Sequence, residues 1–131
     1  MQQHKCQAVA VHCIDFRLQK QITEFLESKF LRGYDRIALA GGTKDLLENG
    51  ENSIIFKNLQ ISFHLHQPKT IVLIQHEDCG AYGGSKAFKG LAAEHSFQKE
   101  QLQKAYDLLQ KHFSQDIEQY LVLLSGRFES C

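Results

Sequence analysis

Short apolar runs alternate with amphipathic segments along this 131-residue chain, and this alternation constrains the fold more than any other feature. The apolar runs predict buried strands at residues 8–13, 35–40, 70–74 and 120–124. Between them, apolar residues at helical spacing predict helices. The first contains Leu18, Ile22, Phe25, Leu26 and Phe30. The last contains Leu102, Ala105, Tyr106, Leu109 and Phe113. Strands that alternate with helices predict a three-layer α/β fold, in which helices flank a mainly parallel sheet of about four strands.

Two stretches need a separate interpretation. Residues 59–66 alternate between apolar and polar side chains as a strand does, whereas Ile55, Leu59 and Phe63 have the spacing of a helix. We favour a helix that begins near Ser53. The pair Gly41-Gly42 follows the second predicted strand and indicates a turn with positive φ or a close approach of the backbone to another group.

Length and composition exclude several classes of protein. A chain of this size predicts one domain over residues 1–131 with one hydrophobic core. Its 15 basic and 15 acidic side chains cancel, so we expect no nucleic acid and no membrane surface as partner, but a small molecule. No run approaches about eighteen consecutive apolar residues, and the first residues lack the apolar segment of a secretory signal, so we expect a cytoplasmic protein.

The interpretation of the four cysteines depends on this expected cytoplasmic location. In a reducing compartment, clustered thiols bind metals or react more often than they form disulfides. We therefore expect no disulfide and treat Cys6 and Cys131, near the ends of the chain, as free thiols. Cys13 and Cys79 each follow a predicted strand, which indicates a functional site.

Polar clusters end two of the predicted strands. Cys13, Asp15 and Arg17 follow the first, and His76 and Cys79 follow the third. Ligands of parallel α/β sheets bind at the carboxyl ends of the strands, so we expect the two clusters to meet although they are distant in sequence.

The residue types at this edge favour zinc. Zinc binds thiolate and imidazole ligands in a tetrahedron, and catalytic sites use three protein ligands and leave the fourth position to water. Cys13, His76 and Cys79 supply such a set. Asp15 is placed to accept a hydrogen bond from the water or to bind the metal itself as a fourth ligand, and Arg17 to orient that carboxylate. From the composition, a chance Cys-x-Asp-x-Arg is expected only about 0.006 times, and a chance His-x-x-Cys about 0.2 times.

These residues resemble, in type and order, the two zinc-binding motifs of the β-class carbonic anhydrases. The resemblance extends from about Ala8 to Gly126, and the segment that begins at His76 is most similar to a compact, atypical bacterial branch. It implies Zn²⁺ bound by Cys13, His76 and Cys79, a catalytic Asp15–Arg17 pair, and a homodimer or larger homo-oligomer. By the same resemblance, a zinc-bound hydroxide attacks carbon dioxide and gives bicarbonate, reversibly.

The chain also departs from that family. Ile14 and Phe16 are bulky where small residues are usual, and we expect Phe16 to crowd or reshape the pocket. Ala38-Leu39 stands where the family commonly has Arg-Asn. Two alternatives fit the same residues. One is a zinc hydrolase of a related small molecule, carbonyl sulfide or carbon disulfide, and the other is a non-catalytic zinc-binding homologue in which Asp15 closes the coordination.

Simpler interpretations apply to single residues. Cys13 alone is typical of a buried hydrophobic residue, and Asp15 with Arg17 of a structural ion pair. Residues 82–84 fit either a plain turn or the substrate mouth. His64 and His66 have no thiol or carboxylate near them in sequence, so we expect no metal site there.

Overall fold

The structure is a computed structural model that describes residues 4–131. Strands and helices alternate as the sequence pattern predicts. The strands are β1 (Ala8–His12), β2 (Tyr34–Ala38), β3 (Thr70–His76), β4 (Asp116–Val122) and β5 (Phe128–Ser130). The helices are α1 (Gln19–Lys29), α2 (Lys44–Asn49), α3 (Ile54–His66) and α4 (Leu91–Gln110).

The strands form one sheet in the order β2-β1-β3-β4-β5. The first four are parallel, and β5 pairs antiparallel with β4. The predicted fold class is confirmed, with one addition, because the sequence prediction had about four strands and missed β5. That strand has only three residues, which is too short for a pattern of alternation to be recognised.

Two apolar clusters cover the two faces of the sheet. Val9, Val11, Ile71 and Leu73 pack on one face against α2, α3 and α4. Ala8, Ala10, Val72 and Ile74 pack on the other against α1. The central strands β1 and β3 are therefore buried on both sides, which explains why they are almost uniformly apolar.

Local signals explain how the ambiguous segment 53–66 became a helix. The Ser53 side chain accepts a hydrogen bond from the Phe56 N–H at 2.9 Å, which caps α3 as expected. Gln67 ends the helix in the left-handed conformation, with φ of 51°. Two strands differ by a few residues from their predicted bounds. The second strand is Tyr34–Ala38, and the fourth begins at Asp116 because it pairs with β3 from Thr70 onward.

Within residues 4–131, none of the helices is both long and apolar enough to span a bilayer.

Candidate metal centre

Three side chains of metal-binding type meet at the carboxyl edge of the sheet. Cys13 follows the last residue of β1, and His76 is the last residue of β3. Because β1 and β3 are neighbouring parallel strands, these ends lie side by side. Cys79 returns to the same place through the loop after β3. The three residues are buried, with only 7%, 3% and 2% of their surface exposed.

The spacing of the donor atoms suits a single ion. The sulfurs of Cys13 and Cys79 and a ring nitrogen of His76 lie within 4.8 Å of one another. The two sulfurs are 4.0 Å apart. Two thiols and an imidazole are donors that zinc prefers, and three protein ligands leave one position open to water or substrate. These three residues could therefore hold a zinc ion.

The His76 ring provides an independent test of that fit. Its Nδ1 donates a hydrogen bond to the Glu77 carbonyl at 2.7 Å, so in the neutral ring Nε2 carries no proton. Nε2 is buried and has no hydrogen-bond partner. A buried acceptor without a partner costs folding free energy, and a metal ion would use its electron pair. A backbone acceptor on the other nitrogen is also how metal-binding histidines are commonly oriented.

The two sulfurs titrate as a pair. The thiol of Cys79 donates to the sulfur of Cys13, which lowers the pKa of Cys13 well below its ordinary value and raises the pKa of Cys79. The backbone N–H of Gly41 also points at the Cys13 sulfur, at 3.4 Å. Two neighbouring thiols therefore ionise one at a time, whereas a divalent cation in the cluster would allow both to ionise.

Asp15 is held beside this cluster by Arg17. The guanidinium donates from Nε at 3.0 Å and from Nη2 at 2.6 Å, and the backbone N–H of Arg17 adds a third bond at 3.0 Å. These bonds lower the pKa of Asp15 to about 2, so its carboxylate is ionised at neutral pH. Its Oδ2 lies 3.9 Å from Nε2 of His76. An ionised hydrogen-bond acceptor thus stands next to the three donor atoms.

Arg17 also binds a second carboxylate, which sequence reasoning missed. Nη1 donates to Oδ2 of Asp78 and Nη2 to its carbonyl oxygen, both at 3.0 Å. Asp78 has a positive φ of 60°, which is unusual for a residue with a side chain. In the sequence, the signal for a role of Asp78 was its position directly before Cys79. One arginine therefore ties the loop after β1 to the loop after β3.

A buried glutamate supports the second of these loops. Glu94 lies in the first turn of α4 and has no exposed surface. Its carboxylate accepts the Asp78 N–H at 2.6 Å and the Ser85 hydroxyl at 2.8 Å. Sequence reasoning missed this residue, because an acidic residue in the first turn of a helix is common and normally exposed.

A third support lies behind the cluster. Gln75 interrupts the apolar strand β3 and is buried. Its Oε1 accepts the Thr43 N–H at 2.9 Å, and its Nε2 donates to the Gly41 carbonyl at 3.2 Å and to Gln98 at 2.9 Å. These bonds fix the glycine turn that points at Cys13. A glutamine inside an apolar run was the sequence signal for this network.

A cavity of about 750 Å³ reaches the cluster at Cys13. Its charged lining residues are Asp15, Arg17, Asp78 and Lys86, whereas small or apolar residues line the remainder, including Ile14, Phe16, Ala40, Ala81, Gly83 and Gly84. Phe16 is 87% exposed. Its ring thus lies at the mouth of the cavity and leaves room inside it, in contrast to the crowding expected from the sequence.

The segment 82–84 fits both interpretations given above. Gly83 and Gly84 line the cavity and have positive φ, as in a tight turn. The Tyr82 hydroxyl points to the Gly41 carbonyl at 3.4 Å, and burial raises the pKa of Tyr82 to about 12. The phenol is therefore neutral at physiological pH and serves as a hydrogen-bond donor.

The chain is similar to several known proteins. A family model described as "Putative carbonic anhydrase" matches residues 3–123. An uncharacterized protein of Rickettsia conorii is 25% identical over 96% of the chain and 72% of its own length. Among solved structures, a carbonic anhydrase of Streptococcus mutans has a TM-score of 0.65 and 21% identity, covering 98% of this chain and 82% of that one. A carbon disulfide hydrolase has a TM-score of 0.61 and 16% identity, with 97% and 79% covered.

The structural neighbours establish the shared α/β architecture, and the family model covers most of the chain, including Cys13, His76 and Cys79. The chain therefore belongs to the family described as "Putative carbonic anhydrase".

Proposed function

We propose that this protein hydrates carbon dioxide to bicarbonate reversibly, with Zn²⁺ bound by Cys13, His76 and Cys79. The observation that carries the proposal is the unpartnered Nε2 of His76, buried beside two sulfurs and next to an ionised carboxylate. Membership of the carbonic anhydrase family supports the same reaction. A zinc ion held by these residues would lower the pKa of water to about 7 and so would supply a nucleophile at neutral pH.

The residues around the cluster have separate roles in this proposal. Asp15 accepts a hydrogen bond from the attacking water and orients its lone pair toward the substrate. It suits this role because it remains ionised at neutral pH. Arg17 is a positioning residue, which holds Asp15 through two guanidinium bonds. The apolar residues at the mouth suit a small uncharged substrate such as carbon dioxide.

A carbon dioxide hydration assay on protein of measured zinc content tests this proposal. Asp15→Asn is expected to retain zinc and to lose about 100-fold in kcat/KM, because the amide is a weaker and differently oriented acceptor. Cys13→Ser is expected to lose the zinc ion of this site and the activity together. Asp107→Asn is the matched control, since Asp107 lies on α4 and bonds to Gln103.

Two results of that assay would decide against the proposal. A chain that holds zinc at these three residues but hydrates no carbon dioxide would favour the non-catalytic homologue, with Asp15 as fourth ligand. If Cys13→Ser had the same zinc content per chain as the wild type, the assignment of Cys13 as a zinc ligand would be contradicted.

A second candidate reaction is hydrolysis of carbon disulfide or carbonyl sulfide. Ile14 and Phe16 make the mouth of the cavity more apolar than the family pattern predicts, which favours a sulfur-containing substrate that forms weaker hydrogen bonds with water than carbon dioxide does. The likeness to a carbon disulfide hydrolase is one of fold. Release of hydrogen sulfide from carbon disulfide, faster than hydration of carbon dioxide by the same sample, would favour this reaction over the first.

We also propose that the chain forms a homodimer or a larger homo-oligomer. Several large apolar side chains are exposed, with Phe16 at 87% and Leu31 at 86%. Single exposed apolar residues are ordinary, but Phe16 and Ile14 line one cavity mouth together, and a second copy would cover them.

A further inference from the structure

A second group of metal-binding side chains lies at the other end of the sheet. Cys6, Asp35 and His66 each offer one donor atom, and these atoms lie within 4.8 Å of one another. Cys6 precedes β1, whereas Cys13 follows it. At about 3.3 Å per residue, the two groups are about 20 Å apart along that strand. The second group is therefore separate from the candidate metal centre.

The fold brings these residues together from three elements. Asp35 is the second residue of β2, His66 is the last residue of α3, and Cys6 lies in the segment before β1. The Cys6 N–H donates to the His66 carbonyl at 3.0 Å, which fixes the thiol-bearing residue against the end of the helix. Along the sequence, His66 has no neighbouring thiol or carboxylate, and the fold supplies both.

The carboxylate and the imidazole are already oriented toward each other. Nδ1 of His66 and Oδ2 of Asp35 are 2.7 Å apart, and the same oxygen accepts the Ser62 hydroxyl at 2.7 Å. Ser62 and His66 are four residues apart on α3, so both side chains lie on one helix face. A hydroxyl that hydrogen-bonds to a ligating carboxylate is typical of the residues that support a metal site.

We propose that Cys6, Asp35 and His66 form a second zinc site. A thiolate, a carboxylate and a neutral imidazole balance the charge of a divalent cation, and this mixture of donors suits zinc better than magnesium or calcium. Zinc bonds of about 2.0–2.3 Å separate tetrahedral donor atoms by about 3.3–3.8 Å, so side-chain rotations are sufficient. Binding would release the Cys6 thiol proton, which now bonds the Ala8 carbonyl, and the proton of a neutral His66 ring would move from Nδ1 to Nε2 so that Nδ1 can bind the ion.

The site is accessible, and it has a structural consequence. The His66 and Asp35 side chains are 34% and 31% exposed, so an ion can enter from solvent and water can take the fourth position. An ion there would link the start of the chain to β2 and α3. Because such a site forms only in the folded chain, zinc binding would raise stability.

Zinc content per folded chain tests this proposal, after equilibration against a zinc buffer. The wild type is expected to bind two ions, and Cys6→Ser and His66→Gln one each. The matched controls are Cys131→Ser, which removes an exposed thiol, and His64→Gln, which removes the neighbouring histidine. Both controls are expected to keep two ions. Equal zinc content in Cys6→Ser and the wild type would overturn the proposal, whatever the occupancy of the candidate metal centre.

Zinc K-edge absorption on the wild type gives a second readout that needs no variant and no activity. With two sulfur ligands in one site and one in the other, the mean is one and a half sulfurs per zinc ion. A mean of two sulfurs per zinc would show that only the Cys13–Cys79 site is filled, and the second site would be rejected. Because neither measurement depends on carbon dioxide hydration, failure of the proposed reaction would leave this test intact.

Discussion

At the scale of single residues, Arg17 has the most demanding geometry in the candidate site. Its guanidinium donates to the Asp15 carboxylate through Nε and Nη2. It also donates to Asp78, from Nη1 to the carboxylate and from Nη2 to the carbonyl oxygen. A lysine ammonium is a point donor and cannot serve both carboxylates in one plane. The orientation of Asp15 therefore depends on an arginine at this position.

We predict that Arg17→Lys lowers kcat/KM for carbon dioxide hydration by about 10–100-fold, the equivalent of losing one charged hydrogen bond. Asp78→Asn is the matched variant, because it weakens the contact to Asp78 and leaves the Asp15–Arg17 bonds in place. It is expected to cost less than Arg17→Lys at equal zinc content. Equal losses in the two variants would contradict the role given to the Asp15–Arg17 pair.

At the scale of elements, the glycine turn after β2 lies directly against β3. Gly42 has a φ of +61°, and a Cβ built on it would collide with Oε1 of Gln75 and approach the Ile74 carbonyl to 3.2 Å. The side chain of Gln75 is held by three hydrogen bonds and cannot move without breaking them. This explains in physical terms why a glycine is needed here.

We predict that Gly42→Ala destabilises the fold more than Gly33→Ala does. Gly33 also has a positive φ, +103°, but a Cβ there meets nothing within 4 Å. The control should cost about 1–2 kcal/mol from backbone strain alone, and Gly42→Ala at least about 1 kcal/mol more from the collision. Urea unfolding at fixed zinc content measures both. Equal free energies of unfolding in the two variants would show that the turn accommodates a Cβ at residue 42, and would contradict the prediction.

The loop between His76 and Cys79 depends on α4 through Glu94. We predict that Glu94→Ala lowers zinc affinity at the candidate metal centre by about 10–100-fold, because the Asp78 N–H loses its acceptor and the loop loosens. Glu94→Gln retains a carbonyl oxygen for that N–H and should lose less. Competition with a chelator measures the affinities, and circular dichroism checks folding. Unchanged affinity in Glu94→Ala would rule out this support.

The sequence was informative about elements wherever a pattern was local. The apolar run at the start of β1 and the helical spacing in α1 predicted both elements, and Ser53 predicted the start of α3. The first half of β4 was missed because it is mostly polar and not buried, and it becomes a strand through its pairing with β3, which is a tertiary effect. The second strand was predicted to reach Ala40, but it ends at Ala38 because the backbone then turns toward Gly41. Leu39 therefore lies outside β2.

At the scale of the whole molecule, topology decides which residues meet. The approach of Cys13 to His76 and Cys79 was predictable, because the carboxyl ends of parallel neighbours lie together. The approach of Cys6 to Asp35 and His66 follows the same rule at the amino ends of these strands, but no local motif around His66 signalled it. Supports such as Glu94 and Gln98 were also hidden, since Glu94 accepts the backbone N–H of Asp78 in a distant loop and Gln98 accepts the side-chain amide of Gln75 on β3.

Assembly is a property of the whole molecule that the exposed apolar residues make testable. We predict that sedimentation gives a mass at least twice the 15.0 kDa of the chain. Phe16→Asp should reduce that mass, because a charged carboxylate would replace the ring that a second copy covers. Leu124→Asp, at an apolar residue that is 41% exposed and does not line the cavity mouth, is the matched control. A monomer at high concentration would contradict the assembly.

The pH profile of carbon dioxide hydration between pH 6 and 9, measured on fully zinc-loaded protein, tests the central claim most directly. Asp15 has a pKa of about 2 because Arg17 stabilises its charge, so it stays ionised throughout this range and adds no step of its own. The attacking water must lose its proton, so kcat/KM should rise with pH, about tenfold per unit at the acid end, and then level off. A flat profile, or no hydration at any pH from fully loaded protein, would contradict the proposed function.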